Sequence, residues 1–303
     1  MQELNITVPL ESEPRRLDAF LMEFSAENKL GFSRTFLQNL IRQGAVFVEK
    51  TAVTKPNHKV KSGQEILIGI PEKKIQGLEA ENIPLKIVYE DDDLAIIDKP
   101  AGLVVHPAPG NYEHTLVNAL MHRFKKLSDI NPERPGIVHR LDKGTSGIIV
   151  VAKNNAAHLD LVKQFAGHSI KRIYVALVKG KVEYNENIIE MPIGRHPLKR
   201  ENMSVGFTKS TRYAKTYYRT LKRTPLWSLV ELEPFTGRTH QLRVHLAYIG
   251  HPILGDSKYG KQNEFVRMAL HARYLGFIHP ASGKFVEFES PMPKEFSDFI
   301  KDK

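Results

Sequence analysis

Cysteine is missing from this chain of 303 residues. Its absence excludes disulfide bonds, cysteine–zinc sites and thiolate nucleophiles together, so we expect no disulfide partner. It is also typical of a cytoplasmic protein, and the cytoplasm is the location that we predict. No apolar run approaches the roughly 20 residues of a membrane-spanning helix, and the N-terminus lacks the basic and apolar regions of a secretory signal. We therefore expect no membrane partner.

Acidic residues are scarce in two stretches of the chain, although the whole sequence holds 34 of them against 44 lysines and arginines. Residues 28–64 carry seven basic side chains and one acid, and residues 195–223 carry nine and one. A merely solvated surface mixes both signs, so these two blocks favour a polyanion, and structured RNA is the partner that we predict. The candidate RNA-contacting side chains are Arg34, Arg42, Lys55, Arg195, Lys199 and Arg200.

Residues 14–72 have the pattern of a small α/β module. Apolar residues recur at helical spacing from Leu17 to Phe24, which predicts a first helix. A second helix is predicted to begin at its N-cap Ser33 and to end at Gly44. Residues 73–84 are polar and show no strong periodicity, so we predict that they form a linker.

Residues 85–303 are predicted to form a second, larger domain in which strands dominate. Residues 87–97 and 277–288 have the pattern of two hairpins, and residues 148–151 have that of a buried strand. Helical patterns lie between the strands without the regular alternation that produces a parallel sheet. We therefore predict an α+β fold built on a mixed, mostly antiparallel sheet with flanking helices.

The segment Gly136-Ile-Val-His-Arg-Leu-Asp-Lys-Gly-Thr-Ser-Gly directly precedes the apolar strand. It places Asp142 between the cations Arg140 and Lys143 in a glycine-punctuated loop. Charged and glycine residues before a core strand cost stability, so chains keep them mostly where chemistry needs a rigid base. Two neighbouring cations would keep the carboxylate ionised at neutral pH. The segment therefore predicts an active-site loop in which Asp142 reacts.

A second segment, residues 236–260, contains a predicted helix with Thr239 as its cap and Gly250 near its end. Arg243 falls in the first turn of this helix, where the helix dipole disfavours a cation. This placement indicates either that Arg243 serves an anion or that it is an ordinary surface arginine. The spacing alone leaves both readings open.

These two segments resemble the signatures of the RluA family of pseudouridine synthases, and the resemblance extends over nearly the whole chain. It implies that Asp142 is the catalytic carboxylate and that Arg243 pairs with it. Tyr174, within Lys171-Arg-Ile-Tyr-Val-Ala-Leu-Val-Lys-Gly, matches the active-site tyrosine that stacks on the target base and is the proposed general base. Arg140 matches a residue that enters the space left by a flipped nucleotide, and Leu242 matches an apolar wall beside the base. His139, in the same signature, is included among the substrate-binding candidates.

The N-terminal module resembles the RNA-binding domain of a small-subunit ribosomal protein, the S-four type. The matching segments are Arg16-Leu-Asp, residues 33–48 and residues 55–63. The chain departs from the pattern at Lys50-Thr51, where many members have Asn-Gly, so the turn there is expected to differ in shape.

The resemblance implies an RNA uridine-to-pseudouridine isomerase that flips its target base, closest to the family members that act on large-subunit ribosomal RNA. Atoms and electrons balance within the substrate, so it implies neither a cofactor nor a metal. Whether Asp142 attacks the ribose or assists an elimination stays open. Two alternatives also stay open: the same chemistry on transfer RNA, and a ribosome-assembly factor whose catalysis is incidental.

Competing chemistries have weaker support. The chain has 13 histidines, but His240 and His245 do not share a helical face, so we predict no metal site. The run Gly144-Thr-Ser-Gly is one residue short of the turn that carries the nucleophile of serine hydrolases. Asp98 and Asp256 are expected to have structural roles in turns.

Overall fold

The computed structural model describes residues 2–10, 12–28, 32, 34–70, 78–107, 111–199, 201–208, 210–261 and 264–302. The chain divides into two compact units, Met1–Gly77 and Leu78–Lys303. Residues 73–77 of the predicted linker lie outside the described residues, as does the predicted helix cap Ser33. Residues 79–81 of the predicted linker belong to the second unit, where the Asn118 side chain donates to the Glu79 carbonyl at 2.8 Å and the Glu81 N–H donates to the Asn118 carbonyl at 3.0 Å.

The first unit is a small α/β body. Its elements are β1 (Gln2–Thr7), β2 (Arg15–Arg16), α1 (Leu17–Glu27), α2 (Arg34–Arg42), β3 (Val46–Val48), β4 (Thr51–Ala52), β5 (Lys59–Val60) and β6 (Glu65–Ile70). An antiparallel sheet runs in the order β1-β6-β3-β4, and β2 pairs with β5. The apolar faces of both helices are buried with this sheet in one core. Strand β1 lies before the module predicted over residues 14–72.

A buried carboxylate joins the two helices of this unit. Asp18, at the start of α1, is fully buried and accepts hydrogen bonds from Arg16, Gln38 and Arg34. The hydrogen bond from Arg16 holds the pKa of Asp18 far below its usual range, although burial opposes this. Gly44 ends α2 as predicted, with φ +72° and the following N–H of Ala45 donating to the Leu40 carbonyl at 3.0 Å.

The second unit is built on one large sheet. Its strands are β7 (Lys86–Glu90), β8 (Leu94–Lys99), β9 (Ser146–Ala152), β10 (Lys171–Lys179), β11 (Glu186–Glu190), β12 (Ile193–Arg195), β13 (Met203–Val205), β14 (Lys215–Arg223), β15 (Trp227–Pro234), β16 (Leu270–Ile278) and β17 (Phe285–Glu289). Its helices are α3 (Leu116–Arg123), α4 (Asn155–Ala166), α5 (Gln241–Tyr248) and α6 (Lys294–Asp302).

The sheet order is β11-β14-β15-β10-β16-β9-β8-β7, with β17 added on β16 and a separate β12–β13 hairpin. Every pairing of named strands in the described residues is antiparallel except that of β9 with β16. The predicted mixed, mostly antiparallel sheet is therefore confirmed. Within the described ranges, no helix combines the length and the apolar character that crossing a membrane requires.

Strand β9 is buried along its whole length because helices cover both faces of the sheet there. Ile148 and Val150 face a core shared with α4, whereas Ile149 and Val151 face a core shared with α3. Two-sided burial explains why the sequence shows a continuous apolar run instead of alternation.

Strand β16 changes neighbours along one edge, and this branch positions the loop before β9. Its first residues pair in parallel with β9 at His271 and Ala272, and β17 takes over from Tyr274. At the branch the two backbones approach closely: Gly147 has φ +109°, and a Cβ added there would lie 2.1 Å from the Ala272 carbonyl oxygen. Only glycine satisfies both constraints.

We expect Gly147→Ala to lower the free energy of unfolding of the second unit by more than about 3 kcal/mol, because the new methyl group meets backbone that cannot move away. Gly283→Ala is the matched control, since Gly283 has φ +67° and open space around its Cβ position. It should cost only about 1 kcal/mol of left-handed strain. Urea unfolding followed by the fluorescence of Trp227, the single tryptophan, measures both. Equal losses would mean that the close approach at β16 is unimportant.

Candidate active site

The side chain of Gln241 makes four of the hydrogen bonds that hold the loop leading into α5. Its amide N–H groups donate to the Lys215 carbonyl and the Thr216 hydroxyl, both at 3.0 Å. Its carbonyl oxygen accepts from the Thr236 hydroxyl at 2.7 Å and from the Arg238 N–H at 3.0 Å. The predicted cap at Thr239 is wrong: the residue at the helix start is His240, which makes no side-chain cap.

Arg243, in the first turn of α5, binds two carboxylates. Its Nε and Nη2 donate to the two oxygens of Asp256 at 2.7 and 2.8 Å. Its Nη1 donates to Oδ2 of Asp142 at 3.0 Å. The arginine side chain is 8% exposed, Asp142 is 19% exposed and Asp256 is fully buried. Of the two readings that the spacing left open, the geometry thus supports an arginine that serves an anion.

Asp256 has a role at the site in addition to the structural role in a turn that was expected from the sequence. It lies in a turn, but its carboxylate also orients Arg243, and its Oδ1 accepts the backbone N–H groups of Lys258 and Tyr259 as well. A signal was present, because Asp256 belongs to the same segment as Arg243. Asp98, expected in a turn, instead lies in β8 and pairs with the exposed Lys86 at 2.8 Å.

The electrostatics of Arg243 and Asp256 favour the ionised form of each. Burial alone would lower the pKa of Arg243, but the hydrogen bonds and charges of Asp256 and Asp142 outweigh burial and raise it. Burial would raise the pKa of Asp256, but the hydrogen bond and charge of Arg243 hold it below its usual value. Arg243 therefore stays protonated and Asp256 stays ionised across the physiological range.

A pocket of about 120 Å³ opens above Asp142. Tyr174 from β10 and Leu242 from α5 line it, together with Arg140 and Thr145 from the loop before β9. This volume is well below the roughly 300 Å³ of ordinary ligand pockets, so it has room for a single small ring. The structure thus brings together five of the predicted site residues: Asp142, Tyr174, Arg243, Arg140 and Leu242.

The two cations expected to flank Asp142 do not bind it. Lys143 is exposed and donates to Asn111 at 3.3 Å. Arg140 is exposed at the pocket and has no hydrogen bond or ion pair among the described residues. The cation that pairs with the carboxylate is Arg243, from a helix about a hundred residues later in the chain.

His139, one of the substrate-binding candidates, does not line the pocket. Its Nε2 accepts the N–H of Val150 at 3.1 Å, and its ring stacks on Phe165 with the centroids 4.5 Å apart. Burial lowers the pKa of His139 to about 3, so the ring is neutral. These contacts give His139 a structural role, because they fix the loop against β9.

Lys99 is a site-supporting residue that the sequence analysis left unassigned. Its fully buried ammonium donates to the carbonyls of Pro100, Leu103 and Lys143 at 2.8, 2.9 and 3.4 Å. Burial lowers its pKa to about 7, against the opposing charge of Asp142. Lys99 thereby joins the segment after β8 to the loop that carries Asp142.

The predicted RNA-contacting residues divide between the two units. Arg34, Arg42 and Lys55 are exposed on the first unit, and Arg195 and Lys199 are exposed on the β12–β13 hairpin of the second. Arg200 lies outside the described residues.

Within the described part of the chain, one group of side chains has the spacing of a metal site: Asp91, Asp93 and His279. Hydrogen bonds already occupy it, since Asp91 accepts the N–H groups of Asp93 and Leu94 and also Nε2–H of His279 at 2.8 Å. The group therefore joins a hairpin turn to the end of β16.

We expect Asp256→Asn to lower the free energy of unfolding by about 3 kcal/mol, because it leaves a buried arginine without its main partner. The pKa of Asp256 is held below its unfolded value. Its contribution is therefore present above about pH 4 and is lost as the pH falls further. Urea unfolding at pH 7 and pH 3 measures both effects.

The matched control is Asp98→Asn, whose partner Lys86 is largely exposed. It should cost less than about 1 kcal/mol. Equal losses in the two variants would contradict the ion-pair interpretation of Asp256.

Known protein families match both units. The RNA pseudouridylate synthase family matches residues 93–248, a range that includes Asp142, Tyr174 and Arg243. The S4 domain matches residues 15–66.

Whole-chain relatives agree. An uncharacterized RNA pseudouridine synthase of Bacillus subtilis (strain 168) is 44% identical over 304 residues, covering 99% of this chain and 98% of that protein. A ribosomal large subunit pseudouridine synthase D of Zymomonas mobilis is 44% identical over 282 residues, covering 89% of each. A solved structure titled Human RNA Pseudouridylate Synthase Domain Containing 1 has a TM-score of 0.59 and 26% identity, covering 74% of this chain and 96% of that one. The chain therefore belongs to the RNA pseudouridylate synthase family and is an isomerase that acts on RNA, with an S4 domain at its N-terminus.

Proposed function

We propose that this enzyme converts specific uridines of large-subunit ribosomal RNA to pseudouridine, with Asp142 as the reacting group. The observation that carries the proposal is the partly exposed Asp142 carboxylate, held by Arg243 at 3.0 Å beneath a ring-sized pocket. The choice of RNA is supported by the Zymomonas mobilis relative, a ribosomal large subunit pseudouridine synthase D.

The reaction breaks the bond between uracil N1 and ribose C1′, turns the base and joins C5 to C1′. The electron pair of the broken bond stays on the uracil, C5 loses a proton when it is joined to C1′, and N1 gains one, so atoms and electrons balance without a cofactor. Asp142 acts either as a nucleophile toward C1′ or as a base in an elimination. Both roles need an ionised carboxylate that keeps one oxygen free, and Arg243 contacts only Oδ2.

Tyr174 forms one wall of the pocket, where its ring can stack on the uracil. Burial raises the pKa of Tyr174, so the resting phenol carries its proton. A role as general base toward the C5 proton therefore requires the phenol to lose its own proton earlier in the reaction. Leu242 forms the apolar wall on α5.

The target uridine must leave its helix to reach the pocket, at a cost of roughly a few kcal/mol. Arg140 can offset part of this cost, because its guanidinium is exposed at the pocket and makes no ion pair among the described residues. It is the residue that we assign to the space left by the flipped nucleotide.

Residues 14–72 act in this proposal as the RNA-binding module, residues 73–84 as the linker and residues 85–303 as the catalytic domain. Arg34, Arg42 and Lys55 on the module, Arg195 and Lys199 on the β12–β13 hairpin, and Arg200, the next residue in the sequence, contact RNA phosphates. The enzyme works in the cytoplasm on ribosomal RNA or on pre-ribosomal particles. The absence of cysteine supports this location.

Asp142→Asn should abolish pseudouridine formation, because asparagine keeps the shape of the side chain but has no charge for either role. The variant should fold and bind RNA about as tightly as the parent. The measurement is a position-by-position map of pseudouridine in ribosomal and transfer RNA from a strain that lacks the gene, complemented with the parent or the variant.

Asp98→Asn is the control for this experiment, since Asp98 lies outside the pocket and pairs with Lys86. A rate for Asp142→Asn within about tenfold of the parent, which is about 1.4 kcal/mol of barrier, would contradict the role of Asp142. If the parent restored pseudouridine only in transfer RNA, transfer RNA would be the substrate. Rescue of a growth defect by the inactive variant would instead indicate an assembly factor.

The double variant Arg42→Gln, Lys55→Gln should weaken RNA binding and reduce its salt dependence. Both side chains are exposed, so the fold should persist. The affinity falls with salt, and each lost phosphate contact makes the slope of log affinity against log salt less steep by about 0.7 to 0.9. Titration of ribosomal RNA at several salt concentrations measures the slope. Arg42→Lys, Lys55→Arg keeps both charges and should keep the parent slope; an unchanged slope in the glutamine variant would exclude phosphate contacts at these positions.

A further inference from the structure

The residue that precedes the helix of Arg243 has a backbone conformation that few side chains adopt. His240 has φ +56°, in the left-handed region, and it offers α5 no side-chain cap. Strained residues of this kind cluster at sites of function, where the surrounding structure holds them. The strain at His240 therefore indicates that the imidazole has a function that an ordinary helix-capping residue could not perform.

One neighbour, Tyr259, holds the imidazole of His240. The Tyr259 hydroxyl accepts the N–H of Met203 at 2.8 Å and lies 2.8 Å from Nδ1 of His240. Among the described residues, the Tyr259 hydroxyl has no other hydrogen-bond acceptor than Nδ1, so the arrangement that uses its O–H makes the hydroxyl the donor and Nδ1 the acceptor. A neutral imidazole that accepts at Nδ1 carries its hydrogen on Nε2.

That Nε2–H group has no partner among the described residues and is not sealed from solvent. His240 lines the same pocket as Asp142, Tyr174 and Leu242. A donor of fixed tautomer thus remains available beside the place where the reacting ring lies.

The charged groups around the ring are Asp142, Asp256, Arg243 and Lys258. Burial lowers the pKa of His240 to about 4, against the charge of Asp142. At neutral pH the ring is therefore an uncharged hydrogen-bond donor and does not act as a second cation next to Arg243.

We propose that His240 donates a hydrogen bond from Nε2 to a carbonyl oxygen of the target uracil. This inference rests on the proposed function, because it takes a uridine as the substrate. When the bond between N1 and C1′ breaks, its electron pair stays on the uracil and spreads onto the two ring carbonyl oxygens. A fixed donor at one of these oxygens stabilises that charge more in the transition state than in the resting substrate.

A phosphate oxygen fits this position less well than a carbonyl oxygen. The carboxylate of Asp142 lies in the same pocket and repels an anion, and a neutral imidazole adds no attraction of charge. Arg140, an exposed cation at the same pocket, attracts an anion more strongly than the neutral ring of His240 does.

Tyr259 is then a positioning residue with two further contacts. The Arg243 guanidinium lies over its ring at 5.0 Å from the centroid. Its bond to Met203 connects it to β13, part of the hairpin that carries Arg195 and Lys199. RNA held by the hairpin and the donor at His240 are therefore joined through one hydroxyl group.

His240→Gly tests the donor because glycine adopts the left-handed backbone without strain and removes only the ring. Its single-turnover rate at saturating RNA should fall by about a hundredfold, with an RNA dissociation constant within about threefold of the parent. His240→Gln returns an N–H donor near the position of Nε2 and should recover at least about tenfold of the lost rate.

His168→Gly is the matched control. His168 is also a left-handed histidine, with φ +57°, but it is exposed and lies outside the pocket. Its rate should equal that of the parent. A parent-like rate for His240→Gly would overturn the proposal, and weaker RNA binding with a parent-like saturated rate would make His240 a contact to the RNA backbone instead.

Nitrogen-15 NMR of the imidazoles gives a readout independent of activity. The signal that His240→Gln removes should show hydrogen on Nε2 at pH 7 and no protonation down to pH 5, because burial lowers the pKa of His240 to about 4. Tyr259→Phe keeps the ring under Arg243 but should release this tautomer and slow turnover. A cationic ring at pH 6, or hydrogen on Nδ1 in the parent, would overturn the proposal even if a His240 variant failed to fold.

The rate of each variant is divided by the rate of the parent, and both are measured on the RNA that the parent modifies. Failure of the parent on large-subunit RNA would overturn the proposed substrate, whereas failure of the ratio would overturn only the role of His240.

Discussion

One guanidinium that binds two carboxylates organises this enzyme. Asp256 is fully buried and therefore needs a cation, and Arg243 meets it with two parallel hydrogen bonds. This pair of hydrogen bonds fixes the plane of the guanidinium, so the direction in which its third nitrogen, Nη1, donates is also fixed. Asp142 lies there, partly exposed, with one oxygen held. Asp256, bound through both oxygens, keeps the arginine in place. Asp142, bound through one oxygen, keeps its other oxygen accessible in the pocket.

The sheet provides the distances that this arrangement needs. Asp142 and Arg243 are separated by about a hundred residues of chain. The loop of Asp142 comes close to Tyr174 because β9 enters the sheet parallel to β16 and next to it, while β10, with Tyr174, lies on the other side of β16. The close approach of Gly147 to Ala272 makes this junction possible. A small constraint in the backbone thus sets the position of the loop from which Asp142 projects.

Three histidines show why the function of a residue could not be predicted from its type alone. His139 accepts a backbone N–H and stacks on Phe165, and His245 is buried between the Thr216 hydroxyl and the Met191 carbonyl. Burial lowers the pKa of both rings, as it does for His240. Only His240 keeps a ring nitrogen without a partner among the described residues beside the pocket. From the sequence, His139 was the better candidate because it lies in the motif of Asp142.

Local patterns in the sequence were sufficient to predict the features that depend on residues close together in the chain. The apolar periods predicted α1 and β9, the glycine at position 44 predicted the end of α2, and the motifs indicated Asp142, Arg243 and Tyr174. The tertiary structure alone decided which cation pairs with Asp142, that Asp256 and Lys99 support the site, and that His139 is structural while His240 faces the pocket. The physical reason is that burial and hydrogen-bond partners are set by segments that are distant in the chain, and these set the charge and the orientation of each group.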